Sequence, residues 1–138
     1  MTNILKAGFL YFLGVFAVGF MLGTLRTIFL VPYTGPVIAV LAEIPLMLLF
    51  AWYLCRVLTE KLAIPPDISD RLVMGFVAFA CLMAGELLIM LQLQDGRVAD
   101  FFLMFDLPDN RVGLAGQIAF ALFPAIQGYG QVGATRGP

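Results

Sequence analysis

Four polar side chains stand inside stretches that are otherwise apolar: Arg26, Glu43, Glu86 and Gln117. A charged side chain left facing lipid at mid-bilayer costs on the order of 2.5–3.5 kcal/mol on insertion scales, so partners and a purpose are expected of it. One guanidinium and two carboxyl groups can form a buried ion pair that locks helices in register. They can equally pass a proton or an ion along, or hold a polar headgroup or small anion through Arg26.

What the chain lacks narrows the chemistry further. It contains no histidine, which removes the commonest metal ligand, the usual acid–base group at neutral pH and the axial ligand of many haems. Ser69 is its only serine, so a Ser–His nucleophile is excluded. Glu43 and Glu86 could serve as acid and base, but no nucleophile, metal set or phosphate-binding loop accompanies them. The expectation is a protein that is not an enzyme and holds neither metal nor cofactor. No basic run tracks phosphates, so no nucleic-acid partner is expected. Cys55 and Cys81 fall within predicted spans at different depths and read as small buried apolar residues, not as a disulfide.

The spacing of the four polar residues depends on the helices that carry them. Of 138 residues, 62% are apolar and 12% charged, with a mean hydropathy of +0.98. Soluble domains average about 45–50% apolar and about 25% charged, so this chain cannot cover a water-facing globule. Its apolar stretches instead approach the ~20 residues that cross a bilayer. The sequence predicts an all-α membrane protein, a four-helix bundle with antiparallel neighbours. Spans are expected over residues 7–31, 36–58, 71–93 and 112–128, forming one membrane domain over 1–128. A tight turn is expected at Pro32–Pro36, a kink at Pro45, a turn at Asp95–Arg97 and a flexible tail over 129–138. Residues 98–105 are too short to cross and too apolar for an ordinary loop, which suits a short helix lying in the interface.

Within those spans the four polar residues share a depth. At ~1.5 Å per residue, Arg26 and Gln117 lie about 8 Å, and Glu43 and Glu86 about 10 Å, from the same side of the membrane. Facing at 100° per residue puts them on the small-residue sides of their helices. Gly19 and Gly23 share the face of Arg26, Gly75 that of Glu86, and Gly113 that of Gln117. Such glycines are expected to let helix backbones approach. The expected site is therefore an interior cluster of Arg26, Glu43 and Glu86, capped by Gln117 and by Thr24 or Thr27. Phe101, Phe102 and Phe105 are the expected membrane anchor or partner-docking surface.

Lysine and arginine placement sets orientation. Lys6, Arg56, Lys61, Arg71 and Arg136 fall on the side of the N-terminus, and only Arg97 and Arg111 on the other. Both termini are expected in the cytoplasm, with the chain multi-pass in the inner membrane of a bacterial cell. The function expected first is an accessory, assembly or scaffold component that self-associates or docks on a larger membrane complex. The alternative is a small oligomeric transporter or channel built on the Arg26, Glu43 and Glu86 layer. In both, the partners are the lipid bilayer and either a second copy or a membrane complex.

Overall fold

A computed structural model describes residues 1–93 and 97–135, and these are almost wholly helical. The order is α1 (Thr2–Leu25), a π turn (Arg26–Leu30), α2 (Val31–Thr34), α3 (Pro36–Lys61), α4 (Ile68–Leu93), α5 (Val98–Leu103), a 3₁₀ turn (Met104–Asp106) and α6 (Pro108–Thr135). Four helical stretches are long and apolar enough to cross a membrane: Thr2–Thr34, Pro36–Lys61, Ile68–Gln92 and Pro108–Gln131. They mark the chain as a multi-pass membrane protein. Only 17–22% of the residues in their most apolar windows are buried within the bundle. The remaining apolar surface needs a lipid-like solvent around it.

Helix α3 starts at Pro36 and α4 ends at Leu93 as expected, but every long helix overruns at least one expected end, because polar residues at a helix terminus do not stop the helix; they only stop its apolar stretch. The largest difference lies between α1 and α3. Pro32 was expected to open a turn, yet it sits inside helix. The preceding π turn takes up one extra residue, so the Val31 amide reaches back to the Arg26 carbonyl. Gly35, at φ 78°, makes the actual break, and Pro36 starts α3 where its missing N–H is no loss. Helix α3 passes through Pro45 unbroken. Helix α6 continues to Thr135, so the residues from Tyr129 to that point are helical. The turn expected at Asp95–Arg97 lies outside the described residues except for Arg97, as does Arg136.

The long helices form a ring. Helix α1 packs on α3 and α4, and α6 packs on the same two. Among the described residues, no Cα of α1 comes within 8 Å of α6, and none of α3 within 8 Å of α4. Helices α3 and α4 are consecutive in the chain but stand on a diagonal. Side-by-side packing of every successive pair therefore does not occur, because the segment after Lys61 crosses the end of the bundle. Arg71 fastens that crossing. The residue is 2% exposed, and its guanidinium donates to the carbonyls of Pro65 (2.8 Å) and Ile64 (3.1 Å) and to Gln131 Oε1 (3.3 Å).

The main buried cluster lies in one half of the ring. Ile4, Ala7, Tyr11, Val15, Ala51, Cys55, Met74, Ala78 and Phe120 are buried together there. Backbones are closest in this half: a Cβ on Gly8 would stand 2.8 Å from the Met74 carbonyl oxygen, and one on Gly75 would overlap the Ala121 backbone. Cys55 is buried here as expected, whereas Cys81 is only half-buried; both are free thiols. Beyond Val15, α1 has no further buried residue. The ring opens from that level towards α5.

Candidate functional site: a polar cavity between the helices

Tyr11 closes the floor of the open half. A backbone carbonyl four residues before a proline has no amide to accept from, and Phe120 stands four before Pro124 in α6. The Tyr11 hydroxyl reaches across the diagonal and donates to the Phe120 carbonyl at 3.0 Å. The two rings lie 5.0 Å apart. The freed carbonyl is thus satisfied from a neighbouring helix, as proline in an apolar medium demands.

Above that rung lies a cavity of about 360 Å³. All four polar residues singled out in the sequence line it. They arrive as two pairs. Arg26, at the start of the π turn, places Nη1 3.2 Å from Glu43 Oε2 of α3. Gln117 of α6 donates Nε2 to Glu86 Oε1 of α4. The single cluster expected from the sequence is therefore divided between the α1–α3 and α4–α6 sides of one space. Thr24 and Thr27 take no part, since their hydroxyls bond back to the Phe20 and Gly23 carbonyls of their own helix.

Acceptor capacity is left over on both sides. Glu43 Oε2 meets Arg26 at an angle that makes no hydrogen bond, and it is buried without another donor; Gln117 Oε1 is buried and unpaired as well. Asp109 and Asn110, from the first turn of α6, add a carboxylate and an amide to the lining. Asn110 is engaged, donating to the Met104 carbonyl at 2.9 Å. Among the described residues the only cation lining the cavity is Arg26, and Glu43 already stands against it.

Three of the four glycines expected to bring helices together line this space instead. Gly19 would meet only the Met47 terminal methyl at 3.3 Å, Gly113 would meet nothing within 4 Å, and Gly23 only the Arg26 guanidinium at 3.9 Å. Their missing side chains make room, and at Gly23 the room is filled by the folded-back arginine. Gly75 alone of the four makes a close backbone approach. Gly8 makes another, against the Met74 carbonyl, and its spacing from Gly19 on one face of α1 is the signal that could have found it.

The short helix covers the cavity from one end. Phe101, Met104 and Phe105 line it, and Phe101 is 5% exposed. Phe102 alone of the three candidate phenylalanines faces outward, at 68% exposed. The phenylalanine rings stack edge-on, Phe101 to Phe105 at 5.4 Å and to Phe102 at 5.7 Å. Polar bonds hold the segment at both ends. The Arg97 amide donates to Asp100 Oδ2 at 2.9 Å, and Arg111 donates to the Phe105 carbonyl at 2.9 Å and reaches Asp106 at 3.4 Å. That first bond, with the Arg97 guanidinium behind it, holds the Asp100 carboxyl below the usual carboxylate range.

Comparison with known proteins adds no relative: no family model matches the chain, and neither a curated protein nor a solved structure does.

Proposed function

We propose that this chain is a multi-pass membrane protein that admits a small polar solute into the cavity between its helices, the binding step of a transporter or channel. What carries the reading is one convergence: Arg26, Glu43, Glu86 and Gln117, one from each long helical stretch, line a single space of about 360 Å³. That volume lies near the lower end of the roughly 300–1,000 Å³ of small-molecule sites. A set of polar residues kept only to lock helix register would be expected to pair and fill its space. Here acceptors are left over and glycines keep the space open. The reading places the protein in a bacterial inner membrane, with both termini cytoplasmic and antiparallel successive spans. Contacts of Gly14 with Leu54, Gly19 with Met47 and Arg26 with Glu43 support the opposed run of α1 and α3. Self-association would extend one cavity into a pathway. An accessory or scaffold role is the rival.

The test is water access. In a Cys55→Ala, Cys81→Ala background, Gly113→Cys should react with a charged, water-borne thiosulfonate, while Leu122→Cys, exposed on the outer surface of α6, should not. A Gly113→Cys thiol that stays unreactive in folded protein would overturn the reading and favour the scaffold.

A further inference from the structure

The cavity's unequal stock of donors and acceptors points to the kind of solute. We infer that it binds a small organic cation with N–H donors and an apolar body, a protonated aryl- or alkylamine, and discriminates against anions of the same size. The inference rests on the reading of the cavity as a solute site.

The first observation is charge. Among the described residues, Arg26 is the one cation lining the cavity and stands against Glu43, while Glu86 and Asp109 have no cationic partner. An arriving anion would meet carboxyl groups and a guanidinium already engaged. An arriving ammonium would meet Glu86 Oε2, which takes no part in the bond to Gln117.

The second is hydrogen-bonding capacity. Among the atoms lining the cavity, Gln117 Oε1 is buried without a partner and Glu43 Oε2 is met only by the Arg26 guanidinium, outside hydrogen-bonding geometry; both are acceptors. A buried polar atom without a partner is costly, and only a donor relieves these two. A carboxylate or phosphate ligand brings more acceptors, whereas an alkylammonium brings three donors and a charge that strengthens each bond.

The third is the wall. Phe16, Phe20, Phe101, Phe105 and Phe120 all line the space. Aromatic faces attract cations as well as covering apolar groups. The remaining lining is largely aliphatic, with Val15, Ile44, Leu82 and Leu114 among it. A ligand with a charged head and an apolar body satisfies both kinds of surface at once. A fully hydrated inorganic cation would leave the apolar walls unused.

Three probes of one size separate the possibilities: phenethylamine, which is protonated at neutral pH, neutral phenethyl alcohol and anionic phenylacetate. Equilibrium dialysis is run against the purified full chain in detergent, with the Gly113→Leu variant as the baseline for micelle uptake. That side chain enters open space, so it fills the cavity without displacing backbone. The expected result is phenethylamine bound about tenfold or more tightly than either analogue, the order of one charge-assisted contact, with binding abolished in Gly113→Leu. Glu86→Gln should weaken the amine about tenfold and leave phenethyl alcohol unchanged. Glu43→Gln should also weaken the amine, because it releases Arg26 as an unpaired cation, and should raise phenylacetate binding. Cavity-dependent binding that favours phenylacetate or the alcohol would overturn the cation assignment and leave the solute site standing. Uptake of all three probes equal to the Gly113→Leu baseline, in chain that retains its helical circular dichroism, would overturn both.

Discussion

Two residues with no charge decide where the cavity ends. Pro124 withdraws an amide from the Phe120 carbonyl, and the Tyr11 hydroxyl replaces it from the opposite helix. Tyr11→Phe should therefore lower stability by about 1–2 kcal/mol, the cost of leaving a buried carbonyl unpaired. Pro124→Ala restores an amide in α6, so Tyr11→Phe should cost distinctly less in that background. A double-mutant cycle from thermal unfolding in detergent measures the coupling, and equal costs in the two backgrounds would show that the pairing does not depend on the proline. This rung was not legible in advance. Tyr11 sits a hundred and nine residues from its acceptor, and nothing local says which freed carbonyl a distant hydroxyl will find. The cavity's polar residues were legible, because an ionisable group in an apolar run stands out whatever the fold. Their pairing was not: depth and facing put four groups at one level, but which carboxylate meets Arg26 depends on which helices are adjacent.

At the scale of elements, glycines divide into those that bring backbones together and those that leave space. Gly75 lies against the Ala121 backbone and Gly113 faces nothing within 4 Å. Gly75→Ala should destabilise by about 1–3 kcal/mol as α4 and α6 are forced apart, whereas Gly113→Ala should be neutral or gain up to about 1 kcal/mol of helix propensity. Unfolding of the two variants side by side decides it, and equal losses would mean that both glycines pack. Spacing alone could not separate the two kinds, since a small residue on an inward face reads the same over contact and over a void. Helix identities and approximate spans were legible because apolar length is a one-dimensional property. Most of their ends were not, because the first and last turns need no apolar residues, and the π turn before Pro32 follows from a backbone adjustment that composition does not encode. The short helix α5 carries its own pH dependence. Asp100 accepts from the Arg97 amide, which holds its carboxyl below the usual carboxylate range. A depressed folded value means that this anchoring is complete above the carboxyl's unfolded pKa and is lost as pH falls through the folded one. The Arg97 amide resonance should therefore shift only at pH below an ordinary aspartate titration, and not at all in Asp100→Asn. A shift centred at or above the ordinary value would contradict the anchoring.

The whole molecule has to choose a direction across the bilayer, and the charges that choose it are fewer than composition suggests. Arg71 is buried and committed to the carbonyls of the crossing segment, so it works as a fastener of α3 to α4 whichever side it lies on. Arg97 and Arg111 each stand beside a carboxylate, Asp100 and Asp106. Acidic neighbours contribute little to orientation, so both arginines still count on their side. Against them stand Lys6, Arg56 and Lys61, and four crossings would put the two termini together. On the proposed reading, this balance would send the end of the bundle carrying Arg56 and Lys61 to the cytoplasm and the end carrying α5 outside. In the cysteine-free background, Asp106→Cys should be labelled by a membrane-impermeant maleimide on intact cells expressing the chain, and Glu60→Cys only after permeabilisation. Both positions are exposed, so a silent site reflects the membrane and not burial. The reverse pattern would invert the orientation and put the Phe101–Phe105 cover on the cytoplasmic side. Labelling of both sites in intact cells would break the four-span topology itself. The outcome bears on the cavity as well: if α5 faces outward, a solute that reaches Glu86 from the covered end must first pass Phe101 and Phe105.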